Sequence, residues 1–589
     1  MVNVKNLFGM AVMATALVGC ASNDDLTPNG NENEGNKVGT AYAKFTIQLP
    51  TTSGTRTDGD PMFNGGTLDE YLVKNAQLVI FQKGATSTSE GDYTFVEKVD
   101  IGNLEPWKDQ SPKNEGVTRY ADITAKLNSV SLDNSGTKYY ALIILNNDAE
   151  KKVTLPTSGT YSDWNVSDNA KEAKDFLSTT DGFYMANAPL LDESSVPKTL
   201  VPIKGVYSTK AEAQNKPATT VYVERGMAKV TIGATSFAST PVDATTTAIY
   251  SGDEVKISEW TLDVLNKKTF PVHATTGLTT NFTNIWSTPR FFASSDPKRV
   301  YWGIDPNYDK TTLTTVDDCK KEFYIVDRNK NTYNGNDLLT FTWADQTKPL
   351  YCLENTFDID NMKQGQTTRV VFKATYTPSV LASESDKTFF MIGNNPQIWT
   401  KTNLEQQIAN KAKELLNTTG TVTATITTGA VLLKGGSHLL TTADVTIKEG
   451  TVEKNSAINF DDLNTKLGLD ITTKDVNGNP TVGIKTYAKG ECYYIARIKH
   501  FNELTPWVSG NPLYKDLHLS DAENNNKFLG RYGVLRNNWY ELTVTKFSAP
   551  GYPDVPVVNP DTPDDEDSKY INVNVKILDW AKRSQQVEL

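Results

Sequence analysis

Cysteine and histidine are scarce in this chain, four of each among 589 residues. None of His273, His438, His500 and His518 stands in an HxH or HExxH setting, and no CxxC pair occurs. The local signatures of a zinc site or a metalloprotease are therefore missing. The neighbouring carboxylates Asp317-Asp318 and Asp461-Asp462 read as solvated turn residues, because adjacent strand positions point to opposite faces and cannot share a site. Gly435-Gly436 has no GxGxxG or Walker pattern around it and reads as a turn. Nor is there a basic excess: 59 Lys and Arg face 70 Asp and Glu, a net charge of -11 that offers no surface to nucleic acid or anionic membrane. No cofactor and no enzymatic chemistry are expected.

Beyond Cys20, the cysteines Cys319, Cys352 and Cys492 are odd in number and far apart, which argues against a disulfide framework and leaves room for at most one bridge. They read as small buried hydrophobes. Trp260, Trp286, Trp539 and Trp580 have the chemistry to line a glycan groove, but sandwich cores use tryptophan routinely, and core packing is the expectation.

What the chain does have is strand signal. Tyr, Phe and Trp number 25, 22 and 10, and 38 Gly and 26 Pro punctuate long Thr- and Val-rich runs. The length calls for two or three domains. Residues 1–19 read as a targeting segment, with Lys5 ahead of an apolar run from Leu7 to Val18 that is too short to span a bilayer. Leu17-Val18-Gly19-Cys20 resembles a bacterial lipobox, which implies cleavage before Cys20 and its acylation. The following Ala21-Ser22-Asn23-Asp24-Asp25 is similar to an acidic surface-export tag.

After a polar leash, Ala41, Ala43, Phe45, Ile47 and Leu49 alternate with Tyr42, Lys44, Thr46 and Gln48, the period of a half-buried strand. The next ten residues, Thr51 to Asp60, form the kind of small, polar, Gly-containing loop that proteases nick. Arg56 is the only basic residue between Lys44 and Lys74, so the Arg56-Thr57 bond is the expected cut for an arginine-specific protease.

Further strands are expected at Ala76 to Gln82, Tyr93 to Val99, Tyr120 to Leu127 and Tyr139 to Leu145, with a helix capped by Ser167 running to Leu177. Many short strands with turns between them indicate an all-β sandwich. From about Thr219 the pattern restarts, with Val221 to Ile232 in the place of Ala41 to Leu49. The expected units are 57–218 and a larger 219–549 that carries insertions. A capping box at Thr402 and Glu405 begins a helix with Leu404, Ile408, Ala412 and Leu415 on one face. A second helix is expected near Phe460 to Leu467, and the last strand of this unit at Trp539 to Phe547. Residues 550–589 hold a Pro- and Asp-rich tether, read as extended, hydrated and unable to pack. It ends in a strand with no hairpin partner, in which Ile571, Val573, Val575 and Ile577 alternate with Asn572, Asn574 and Lys576. So apolar a strand needs a groove.

The lipobox, the Arg56-Thr57 bond after a first strand, and the runs Val223 to Val230, Tyr351 to Thr356, Tyr532 to Leu542 and Ile577 to Leu589 together resemble the fimbrillins, the type V pilins of Bacteroidales, and most nearly the major subunit of short fimbriae. The resemblance implies two tandem transthyretin-like β-sandwich domains with a few short helices and a C-terminal donor strand. It also implies a propeptide at 20–56, brought to the outer membrane as a lipoprotein and removed by a trypsin-like or gingipain-type protease. Loss of the first strand, with Ala41, Ala43, Phe45, Ile47 and Leu49, opens a groove. A neighbouring copy fills it with Ile571, Val573, Val575, Ile577, Trp580, Val587 and Leu589. The partners so implied are copies of the chain itself and anchor and tip subunits, in a surface filament that supports adhesion. The alternatives are a tip or accessory fimbrillin, which would lack a usable cut site or a free donor strand, and a monomeric glycan-binding surface lipoprotein.

Overall fold

The computed structural model describes residues 40–50, 68–102, 104, 108–109, 117–243, 245, 248–281, 298–327, 331–334, 339–475, 478–500, 528–564, 571–578 and 583–584. The chain is all-β with a few short helices. In its N-terminal unit the main strands are β1 (Ala41–Pro50), β2 (Ala76–Gln82), β3 (Thr94–Gly102), β4 (Val117–Leu127), β5 (Tyr139–Leu145), β6 (Met185–Asn187) and β7 (Thr219–Arg225). They run side by side in the order β3-β2-β5-β6-β7-β1-β4, with short strands Lys108–Asp109 and Val201–Pro202 attached to β4 and β5. The sheet folds over on itself, so that Phe45 and Ile47 of β1 share a core with Leu78, Ile80, Ala141, Ile143, Val221 and Val223. The other face of β2 and β5 is also covered: Val79, Phe81, Leu142 and Ile144 pack against Tyr161, Trp164 and Phe176. Burial on both faces is why Tyr139–Leu145 is a continuous apolar run.

The C-terminal unit begins with β8 (Ala228–Ile232), followed by β9 (Glu254–Asp263), β10 (Leu350–Cys352), β11 (Arg369–Thr377), β12 (Glu491–Arg497), β13 (Trp539–Phe547), β14 (Ile571–Leu578) and β15 (Arg583–Ser584). One sheet has the order β10-β8-β13-β14-β15, and a second joins Thr240–Pro241 to β9, β11 and β12. The two opening strands are paired alike. The opening strand of each unit lies parallel to a late strand of the unit, β1 to β7 and β8 to β13, and antiparallel to a third, β4 or β10. Between β11 and β12 residues 389–487 form an insertion with its own core, in which Leu404, Ile408 and Ala412 of a helix meet Val422, Val445, Ile447 and Leu463.

Several local expectations need correction. The run Val221 to Ile232 is two strands. β7 pairs with β6 and β1 and closes the N-terminal unit, so the restart comes after Arg225 and not at residue 219. The break is at Gly226, where a Cβ would stand 2.7 Å from Tyr184 Cδ1 and 2.8 Å from the Phe176 ring. Ser167 to Leu177 holds a 3-10 turn, Ser167–Asn169, and a single helical turn, Ala173–Phe176, because Val153 bridges Ala170 between them. The helix α2 (Lys401–Leu416) is capped by Thr400, whose hydroxyl accepts from the Asn403 N–H, while Glu405 accepts from Ile426 N–H of the neighbouring strand. Asp317-Asp318 and Asp461-Asp462 are in the first turns of α1 (Val316–Glu322) and α3 (Phe460–Lys466), where the helix dipole favours negative charge, and not in strands or turns.

Cys319, Cys352 and Cys492 are free and buried, their thiols pushed up to about 12 by burial. Trp260 is wholly buried, and Trp539 lies half-buried under the Lys229 ammonium, 3.7 Å above its ring. Trp286, Trp580 and His518 lie outside the described residues.

Candidate assembly site

β1 is an interior strand. It pairs antiparallel with β4 from Ala41↔Leu127 to Leu49↔Arg119, and parallel with β7 from Phe45↔Thr219 to Gln48↔Tyr222. Tyr42 also exchanges backbone hydrogen bonds with Tyr207, at 2.8 and 2.9 Å. The alternation read from the sequence is realised in full: Ala41, Ala43, Phe45, Ile47 and Leu49 are 0–2 % exposed. On the outer row, Thr46 Oγ1 donates to Asp122 Oδ1 (2.7 Å) and Lys44 Nζ to the Gln214 carbonyl (3.2 Å). The sheet's two parts meet through this strand, so taking β1 out leaves the β4 and β7 ladders unpaired along one slot and exposes the core beneath. Cys20, Arg56 and Thr57 lie outside the described residues.

At the other end of the chain β14 is not free. It pairs antiparallel with β13 over Trp539↔Leu578 to Phe547↔Ile571, and with β15 at Ile577↔Arg583. The expected strand without a hairpin partner thus has one, though only two residues long. Val573 is buried in the core of its own unit. Ile571, Val575 and Ile577 hold alternate positions of the same strand, while Trp580, Val587 and Leu589 lie outside the described residues.

The tether also differs from its reading. Residues 550–564 are packed along the C-terminal unit, with Val555 and Val558 buried. Tyr552 and Tyr493 exchange backbone hydrogen bonds at 2.7 and 2.8 Å. The Gly551 carbonyl accepts from Tyr487 Oη (2.8 Å), and the Pro556 carbonyl from Arg369 Nη2 (2.6 Å). Asp564, 1 % exposed, accepts from Arg497 Nε and Thr367 Oγ1, both at 2.5 Å. Composition misled because an extended proline-rich segment keeps all its carbonyls as acceptors, and buried arginines and tyrosine hydroxyls of the C-terminal unit meet them. Residues 565–570 lie outside the described residues.

Three of the runs quoted for the resemblance converge where the two units join. Glu224 of β7 accepts from Arg299 Nη2 (2.7 Å) and contacts His273 Nδ1 (2.9 Å). His273 Nε2 lies 3.1 Å from Glu354 Oε1, an ion-pair contact without hydrogen-bond direction, and Glu354 Oε2 accepts from Arg536 Nε (3.2 Å). Beside them Glu70 Oε1 holds Lys229 Nζ (2.6 Å) and the Tyr351 hydroxyl (2.8 Å), while the Glu70 carbonyl accepts from Arg225 Nε (2.7 Å). All these charged side chains are buried. Burial alone would lower the His273 pKa, but the Glu354 and Glu224 carboxylates raise it to about 9. Burial opposes ionisation of Glu354 too, yet His273 and Arg536 hold it down at about 2. Buried charges are tolerable only when fully paired, so the network ties the two units together through specific partners. The sequence signalled Glu224, Lys229 and Glu354 within longer runs. It gave no sign of Glu70, His273 or Arg299, which are distant in the chain and join the network only through the fold.

Among the described residues no group of three or more His, Cys, Asp or Glu is placed to hold a metal ion, and no helix is long and apolar enough to cross a membrane.

No curated protein matches the chain. Among solved structures, a proposed cell adhesion protein of Parabacteroides distasonis is similar at 13% identity and a TM-score of 0.35, over 93% of this chain and 99% of that one. A fimbrilin of Porphyromonas gingivalis is similar at 9% identity and a TM-score of 0.34, over 92% and 99%. A tip fimbrial protein of the same species, truncated at its C-terminus, is similar at 9% identity and a TM-score of 0.27, over 92% and 100%. Likeness of this degree carries no argument about function. Residues 485–586 match the family model described as major fimbrial subunit protein type IV, fimbrillin, C-terminal. That segment holds β12, β13 and the C-terminal strand β14.

Proposed function

We propose that this chain is a polymerising structural subunit of a cell-surface fimbrium, of the kind that forms the stalk of short fimbriae and supports adhesion. The precursor is exported as a lipoprotein acylated at Cys20 and held in the outer membrane. An arginine-specific protease cuts between Arg56 and Thr57, β1 leaves, and the C-terminal strand of the next copy enters the slot between β4 and β7. Anchor and tip subunits begin and end the filament. Head-to-tail insertion does not close on itself, so the product is a fibre.

The observation that carries this reading is the position of β1: interior, buried along its whole apolar row, and a few residues ahead of Arg56 in the sequence. Strand length does not favour the incoming strand, since β1 has ten residues and β14 eight. The cut itself supplies the drive. Before it, a covalently attached β1 competes at a high effective concentration, and after it β1 is a separate fragment that dilutes away. Burying the donor's apolar row, at roughly 1.5–3 kcal/mol per side chain, stabilises the joined state on the order of ten kcal/mol before ordering costs, from which the loss of the β13 pairing is subtracted.

The test is a gel in mild denaturant. Cleaved full-length chain forms a ladder of multimers, and chain ending before Tyr570 stays monomeric. A truncated chain that still laddered would exclude the mechanism.

A further inference from the structure

We propose a register for the exchange: the C-terminal strand of the neighbouring copy enters in the direction of β1, with Ile571, Val573, Val575 and Ile577 on the places of Ala43, Phe45, Ile47 and Leu49. The inference rests on the strand-exchange reading above and concerns which residues of the two copies face each other.

The slot is graded in size. Its five inward places hold Ala41, Ala43, Phe45, Ile47 and Leu49, all 0–2 % exposed, so it is narrow at one end and wide at the other. The incoming row has four β-branched residues and no alanine. A shift of one residue would turn Asn572, Asn574 and Lys576 into the core and is excluded. Placing Ile571 on Ala41 forces Ile and Val into both narrow places and aligns Asp579 with the apolar Leu49 place. Placing it on Phe45 empties the Ala43 place and carries Ile577 beyond the end of β1. The proposed register overfills one narrow place, occupies all three wide ones and leaves only the small Ala41 place beyond the apolar row, the least costly choice in a close-packed core.

The outer row agrees. Asn574 takes the place of Thr46, which faces Asp122 across the ladder, so its amide N–H replaces the hydroxyl that now donates to the Asp122 carboxylate. Asn572 faces Thr124 and Lys576 faces Tyr120, which puts the lysine diagonal to Asp122, the only acid in the outer row of β4 from Tyr120 to Lys126. Direction follows from Leu578. Read along β1 it falls on Pro50, where the ladder to β4 shifts register, whereas read backwards it falls on the half-exposed Tyr42 place among polar neighbours.

Paired cysteines in the cleaved full-length chain test this, because Cys319, Cys352 and Cys492 are buried and leave no reactive background. Oxidised filaments of Asp122→Cys with Asn574→Cys, and of Tyr120→Cys with Lys576→Cys, should give covalent ladders that survive boiling in detergent. Their yield should be at least tenfold above Asp122→Cys with Asn572→Cys or with Lys576→Cys. Dominance of those offset pairs overturns the register and leaves strand exchange standing. A strong Tyr120→Cys with Asn572→Cys ladder overturns the direction. Filaments that form while no pair crosslinks overturn strand exchange itself. If the cysteine variants do not assemble, wild-type filaments treated with a zero-length carbodiimide should yield a Lys576–Asp122 cross-peptide. Coupling of Lys576 only to other carboxylates overturns the register.

Discussion

Replacing Phe45 by Ala in the uncleaved chain probes whether β1 is a structural member of the N-terminal unit or an accessory to it. The ring is 0 % exposed and packs in the core shared by β1, β2, β5 and β7. Truncation of a ring so enclosed costs about 3–5 kcal/mol, transfer and cavity effects together. Thr46→Ala, one residue away on the outer row, removes only the hydrogen bond to Asp122 and should cost roughly 0.5–1.5 kcal/mol. Urea unfolding of the precursor, followed by the fluorescence of Trp164 and its neighbours, reads both. Phe45→Ala should lower the midpoint at unchanged slope, by several times the shift for Thr46→Ala. A chain beginning at Thr57 lacks the strand and serves as the limiting case. Equal shifts for the two variants would refute the claim that β1 holds the core together.

Two further outcomes follow from the C-terminal unit and the junction. His273 has its folded pKa raised from 6.5 to about 9, so its stabilising contribution is complete below about pH 6.5 and lost as pH rises to about 9. A rise of that size is worth a few kcal/mol, on the order of 3, and the urea midpoint should fall between pH 6.5 and 9.5, with His273→Gln flattening the slope. Asp564→Asn removes the carboxylate that faces the Arg497 guanidinium and accepts from Thr367 Oγ1, and should destabilise by roughly 1–3 kcal/mol, seen as protease cleavage within residues 550–564 that wild type resists.

Much of this was legible in the sequence because period and burial coincide. The alternation of Ala41 to Leu49 and of Ile571 to Ile577, and the unbroken apolar run Tyr139–Leu145, are each fixed by a local pattern, and β1, β14 and β5 are found at those residues. Errors arose where tertiary contacts outweigh composition. The segment 550–564 reads as solvated by its prolines and aspartates, yet Arg369, Arg497, Tyr487 and Tyr493 lie far off in sequence and only the fold brings them to it. Val221 to Ile232 reads as one strand since nothing in its pattern marks the chain's passage between units, apart from Gly226. His273 reads as isolated because its two glutamates are 49 residues before it and 81 after it in the chain, as the numbers 224, 273 and 354 show.

The central claim is that β1 keeps closed a slot which assembly later fills. N-terminal sequencing of subunits sheared from native filaments tests it most directly. The account predicts chains that begin at Thr57 and retain no fragment spanning residues 41–49. Assembled subunits that still begin at Cys20, with β1 attached, would contradict it.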